Sequence, residues 1–159
     1  MTKIALFTLG MVIAAKIVFA AERDHRFVEI FQFPTAPEFA VVAEGDFEPR
    51  SVGSYTLRVY GGSSEKFPLD DFIVGLVRPR SGIVEAVRFD DVDGDDKPEI
   101  AVVLRAVGSG GYVSADAFRY RSRSLEFIGS VSDLDKRADA IQALRDKFRL
   151  SNGSGSSTR

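Results

Sequence analysis

Tyr55-Thr56-Leu57-Arg58-Val59-Tyr60-Gly61-Gly62-Ser63-Ser64 is the stretch that decides the fold. Tyr55, Leu57 and Val59 alternate with Thr56, Arg58 and Tyr60, and the run then breaks on two glycines and two serines. In an extended chain successive side chains point to opposite faces, so the first three share one face and the others the opposite face. A strand with one inward and one outward face, closed by a turn signal, follows. Similar text surrounds it. Phe27 to Phe33 alternates before Pro34 and Pro37, and Phe39-Ala40-Val41-Val42 ends in Glu44-Gly45-Asp46. Phe72 to Val77 and Ile83 to Phe89 flank Arg78-Pro79-Arg80-Ser81-Gly82, which predicts a hairpin. Ile100 to Leu104 is apolar without alternation, as a central strand covered on both faces would be. Phe118 and Tyr120 alternate with arginines, and Leu125 and Phe127 flank Glu126. Short strands at this spacing predict a mainly β protein, an antiparallel β-sandwich or barrel-like fold.

The period changes near the end. Leu134, Ala138, Ile141, Leu144 and Phe148 recur at three- and four-residue steps, which predicts one C-terminal α-helix with an apolar stripe. Ser132 or Asp133 would cap its start, while Lys147 and Arg149 suit the dipole at its end. Packed on an open side or edge of the sandwich, this helix would act as a lid. Residues 151–159, rich in Ser and Gly, have little to bury and are expected to form a disordered tail.

The chain begins with Lys3, an apolar run from Ile4 to Ala15, and a small-residue exit at Val18-Phe19-Ala20. That is the pattern of a signal peptide, residues 1–20, cut after Ala20. Lys16 leaves the apolar run too short to span a bilayer, so no membrane anchor is expected. The residue after the cut is Ala21 and not Cys, which excludes lipidation there. Removing Lys3 and Lys16 with the leader leaves 19 basic against 23 acidic residues. Residues 21–150 then form a single acidic domain with a periplasmic address. In all there are 159 residues, with one His and no Cys or Trp. These counts exclude disulfides, cysteine zinc sites, thiol nucleophiles and clustered histidine ligands. The near-neutral charge argues against a nucleic-acid partner.

Three segments carry candidate chemistry. In Asp91-Val92-Asp93-Gly94-Asp95-Asp96-Lys97-Pro98-Glu99, the carboxylates of Asp91, Asp93, Asp95 and Glu99 can converge on one hard cation such as Ca²⁺. An EF-hand is excluded, because the twelfth position is Val102 and strands flank the loop. Strand-flanked Asp-x-Asp-Gly-Asp loops occur in propeller blades, but one copy makes no propeller. No cofactor is required by this reading, and a bound calcium would be structural. An acidic hairpin turn is the alternative.

Gly108-Ser109-Gly110-Gly111-Tyr112 frees the backbone to protrude and leaves amides uncovered. No Lys follows and no helix begins, so this is not a P-loop. Ala43-Glu44-Gly45-Asp46-Phe47-Glu48-Pro49-Arg50-Ser51-Val52-Gly53-Ser54-Tyr55 reads as a solvated rim before a strand.

The 43–55 stretch, the Asp-rich loop and Ser109-Gly110-Gly111-Tyr112 with Val113-Ser114-Ala115-Asp116-Ala117-Phe118 occur here in a fixed order. Together they resemble the periplasmic inhibitors of invertebrate-type (I-type) lysozyme from Gram-negative bacteria, over about Phe39 to Phe148. The resemblance implies a protein that is not an enzyme and whose partner is an I-type lysozyme. It also implies a Ser-Gly-x-Tyr loop that enters the enzyme's cleft: here Ser109, Gly110, Gly111 and Tyr112.

Two other readings stay open. One is a calcium-stabilised periplasmic binding module for an envelope saccharide or protein. The other is a carboxylate hydrolase, although no acid/base pair sits beside a nucleophile motif and His25 lies near the mature N-terminus. Edge strands also leave a homodimer open.

Overall fold

The computed structural model describes residues 25–64, 66–108 and 110–154. The expected leader, Ser109 and residues 155–159 lie outside the described residues. The first sheet contains β1 (Val28–Gln32), β2 (Phe39–Glu44), β3 (Val52–Tyr60) and β4 (Phe72–Ser81) in that order. The second contains β5 (Ile83–Asp90), β6 (Glu99–Arg105), β7 (Val113–Arg121) and β8 (Ser124–Leu134). Every pairing is antiparallel. Among the described residues no strand pairing joins the two sheets, so of the two predicted architectures the sandwich is the one formed.

Alternation in β3 works as expected. Tyr55, Leu57 and Val59 are wholly buried and meet Ile100, Val102 and Phe118 of the facing sheet. The unbroken apolar run of β6 has its cause in two partners. Ile100, Val102 and Leu104 face the first sheet, while Ala101 and Val103 face the helix α1 (Ala140–Ser154). Ala101, Ala115 and Ala117 are small enough to let Leu144, Ala140 and Phe148 close onto the second sheet. Truncating the fully buried Leu144 to Ala would cost about 2–5 kcal/mol, a large part of the stability of such a domain.

Three expectations need correction. Arg78 to Ser81 are not a hairpin turn but the end of β4, paired with β3. At Gly82, with φ of 102°, the chain crosses to the other sheet, and β5 does not pair with β4. Secondly, the helix starts at Ala140, not near Leu134. Leu134 ends β8 opposite Val113, and Asp139 supplies the cap by accepting from the amides of Ile141 (3.0 Å) and Gln142 (3.1 Å). Thirdly, α1 runs on through Ser154, into the segment expected to be a tail.

Register determines which loops are neighbours. Val52 pairs with Ser81, Ile83 with Arg105, and Val113 with Leu134. The β2–β3 loop (45–51), the Gly82 crossover, the β6–β7 loop (106–112) and residues 135–139 therefore share one end of the sandwich. The acidic β5–β6 loop (91–98) and the β7–β8 turn share the opposite end, where Asp90 pairs with Glu99 and Arg121 with Ser124.

Candidate functional site

The β6–β7 loop stands on a closed base. The Ala106 amide donates to the Tyr112 carbonyl at 2.8 Å, which pinches the chain after β6 and before β7. Arg105 then ties that base to its surroundings. Its Nη1 donates to the carbonyls of Gly111 (3.0 Å) and Lys136 (3.1 Å), and its Nε to Glu85 Oε1 (2.8 Å). Above this base Gly108 and Gly111 take φ values of 134° and 55°, a region that favours glycine. The Tyr112 ring lies over Gly110, where an added Cβ would fall 2.5 Å from the ring. Half of Tyr112 (52%) and half of Val107 (53%) remain exposed. Of the four residues expected to carry inhibition, Gly110, Gly111 and Tyr112 follow one another on the β6–β7 connection, with Tyr112 half exposed. Ser109 lies outside the described residues.

The 43–55 segment is not the solvated rim that its acidic residues suggested. Glu44 is buried and accepts from the Val84 amide at 2.6 Å and from Arg50 Nη1 at 3.4 Å. Glu48 reaches back along the loop to accept from the Ser54 amide (2.6 Å) and hydroxyl (2.8 Å). These bonds hold its carboxyl below the ordinary value of 4.5, with lesser help from the charges of Arg80 and Arg26. A Cβ on Gly45 or Gly53 would fall 2.5 or 2.3 Å from that carboxylate, so both glycines are there to admit it.

Beneath lies Arg80, 2% exposed. Its guanidinium donates to the carbonyls of Ser54 (2.9 Å), Arg50 (3.0 Å), Pro49 (3.2 Å) and Gly82. A buried cation surrounded by carbonyls is satisfied through hydrogen bonds, and here it fixes the whole β2–β3 loop. Sequence reasoning missed Arg80 and Arg105. The only available signal was position, since each arginine stands at the end of a strand beside a glycine-containing connection.

At the opposite end the acidic loop folds on itself. Asp91 accepts from the amides of Gly94 (2.7 Å), Asp95 (3.2 Å) and Asp96 (3.0 Å). The carboxylates of Asp91, Asp93, Asp95 and Glu99 converge, with one oxygen from each lying within 4.8 Å of the others. Arg119 bonds Asp93, and Arg121 Nη2 reaches Glu99 at 2.9 Å and Asp95 at 3.4 Å. Glu99 is fully buried; that burial and then the Asp93 charge push its carboxyl upward, against the Val92 amide and Arg121. Oxygen donors in this number suit a hard cation. The two arginines offset part of the same charge.

The build is a β-sandwich with structured loops at one end, where Arg50 Nη1 also donates to the His25 carbonyl at 3.1 Å. The comparisons give that build its family. Residues 25–148 match the family model PliI, described as periplasmic lysozyme inhibitor of I-type lysozyme. The crystal structure of PliI-Ah, such an inhibitor from Aeromonas hydrophila, is 41% identical, with a TM-score of 0.69 over 74% of this chain and 98% of that one. The crystal structure of Aeromonas hydrophila PliI in complex with Meretrix lusoria lysozyme is also 41% identical, with a TM-score of 0.69 over 75% of this chain and 95% of that one. Among curated proteins none is similar enough to count as a match. The chain belongs to the PliI family of periplasmic inhibitors of I-type lysozyme. It acts on a protein partner, I-type lysozyme, and is not itself an enzyme.

Proposed function

We propose that the chain inhibits I-type lysozyme by inserting the β6–β7 loop into the enzyme's substrate cleft. The observation that carries this is the half-exposed Tyr112 on a loop whose base is pinned by Arg105. A glycosidase must keep two carboxyl groups open to a polysaccharide. The Ser109 hydroxyl and the amides of a glycine-rich tip can donate to those carboxylates, and the Tyr112 ring can occupy the space of a sugar ring. The loop has no glycosidic bond, so it occludes without being cleaved. The test is Ser109→Ala with Tyr112→Ala, titrated against Meretrix lusoria lysozyme. Loss of two contacts of about 1–2 kcal/mol each weakens inhibition roughly tenfold or more, with an unchanged melting temperature. A folded double variant that inhibits like the parent overturns the reading.

We also propose the acidic loop as a structural calcium site, held by Asp91, Asp93, Asp95 and Glu99. The convergence of the four carboxylates favours it. It stands at the opposite end of the sandwich from Tyr112, so its role is stability and not inhibition. Millimolar Ca²⁺ raises the melting temperature and a chelator reverses the rise if the loop binds the ion. Identical melts in both conditions overturn the calcium reading.

A further inference from the structure

We infer that Phe47, on the β2–β3 loop, is a second anchor of the inhibitor, an aromatic plug that packs on an apolar patch of the lysozyme surface bordering the substrate cleft. This inference rests on the cleft-inserting role of the β6–β7 loop proposed above. Phe47 is fully exposed and makes no ring contact among the described residues. Its backbone is left-handed, with φ of 61°, a conformation unfavourable for a bulky aromatic residue. Glycine or asparagine would take that position at less cost. Among the described residues no burial rewards a phenylalanine there.

The loop that carries it is nonetheless rigidly built. Arg80 binds the carbonyls of Pro49 and Arg50 directly after it, Glu48 is bonded to Ser54, and Arg26 donates to the Glu48 carbonyl. The Gly45 amide donates to the Ser54 carbonyl at 3.0 Å and closes the loop's base. A strained aromatic side chain on a braced backbone is a preorganised contact: it loses little freedom on binding, and such rings dominate interface energetics. Single exposed apolar residues are common, but they are not usually both strained and braced.

Its location decides the partner. The Ser51 carbonyl accepts from the Gly82 amide at 2.8 Å, and Gly82 packs so closely on the β6–β7 base that a Cβ there would fall 2.0 Å from the Arg105 carbonyl oxygen. The two loops are thus joined through Gly82 and emerge from the same end of the sandwich. A globular enzyme that receives Tyr112 in its cleft meets Phe47 with the wall of that cleft. The acidic loop, at the other end, cannot share this contact.

Phe47→Asn removes the ring and suits the left-handed backbone, and Phe47→Tyr keeps an aromatic ring. Both are titrated against Meretrix lusoria lysozyme, beside the parent and the Ser109→Ala/Tyr112→Ala variant, with melting temperature and light scattering recorded for each. Phe47→Asn is expected to inhibit at least tenfold more weakly, to melt no lower than the parent, and to be rescued by Phe47→Tyr. Inhibition by Phe47→Asn equal to the parent's overturns the inference, even where the loop variant is inactive. A drop in self-association with unchanged inhibition assigns the ring to a second copy and overturns it also. If the loop variant inhibits normally while Phe47→Asn does not, the cleft-insertion reading fails and Phe47 stands as an anchor on its own. A parent protein that does not inhibit overturns both.

Discussion

The Tyr55 hydroxyl of the first sheet donates a 2.6 Å hydrogen bond to Asp116 Oδ2 of the second. Both residues are buried, and Arg78 Nε approaches the same carboxylate oxygen at 3.4 Å while its guanidinium lies 3.8 Å from the centre of the Phe127 ring. Burial, followed by the neighbouring Asp116 charge, pushes the Tyr55 hydroxyl far above its ordinary value, so it stays protonated and available as a donor. The two sheets are thus pinned together by a polar contact set in an apolar interior. Tyr55→Phe leaves a buried carboxylate oxygen with only the longer Arg78 contact, and costs about 1–3 kcal/mol. Urea unfolding of the variant measures this. Because the β2–β3 and β6–β7 loops do not depend on that bond, inhibition by the folded variant is expected to equal the parent's.

Arg80→Met removes the donor to four backbone carbonyls at once. The side chain is buried, so those carbonyls cannot all turn to water, and Glu48 loses one of its cationic neighbours. Breaking a buried ionic network of this kind costs about 3–5 kcal/mol, or roughly 10 °C in melting temperature for a domain of this size. Arg80→Lys is expected to recover only part, because a single ammonium cannot replace a fork that reaches carbonyls on separate elements. Thermal melts of the two variants check both statements. Full recovery by lysine would mean that charge alone, and not the fork, holds the β2–β3 loop.

How far the fold could be read depended on whether burial was one-sided or local. The alternation of β3 and the unbroken run of β6 state their environments directly, because each residue's neighbours in sequence report which face it occupies. Arg80 was illegible: an arginine after Pro79 and before Ser81-Gly82 reads as turn chemistry, and only pairing with Gly53 shows it to be buried. Glu44 failed similarly, since its partner Val84 lies forty residues on. Leu134 happens to be in phase with Ile141 and Phe148, so periodicity extended the helix backward into β8. That a connection and not a strand lies between β6 and β7 was legible from the glycines of 108–111. That it shares an end with Phe47 depends on strand register, which no local pattern reveals.

Arg105→Ala tests whether a fixed base is needed to present Tyr112. The arginine is one-third exposed, so its three bonds contribute modestly to stability, and the variant is expected to lose under about 1.5 kcal/mol. Freed from Arg105, the Gly111 carbonyl no longer ties the loop to Lys136, and the loop must be ordered when the enzyme binds. That ordering is expected to weaken inhibition about tenfold, mainly through faster dissociation. Binding kinetics on immobilised Meretrix lusoria lysozyme separate the two rates. Unchanged dissociation would show that the Ala106–Tyr112 hydrogen bond alone presents the loop.

Glu48 gives the β2–β3 loop a pH dependence whose sign is fixed by its hydrogen bonds. The Ser54 amide and hydroxyl bond the ionised form and lower its folded value below 4.5, so folding favours the carboxylate. A group depressed in this way contributes stability above its unfolded value and loses the contribution as pH falls through its folded value. The charges of Arg80 and Arg26, the cations facing it, act in the same direction. Glu48→Gln keeps the shape but cannot accept with the same charge. The parent is therefore expected to melt above Glu48→Gln at pH 7, with the gap narrowing below pH 4.5 and closing once Glu48 is protonated in the folded protein. Melting curves of both proteins between pH 7 and pH 3 check this, and a gap that stays constant over the range would show that the carboxylate charge plays no part in bracing the loop.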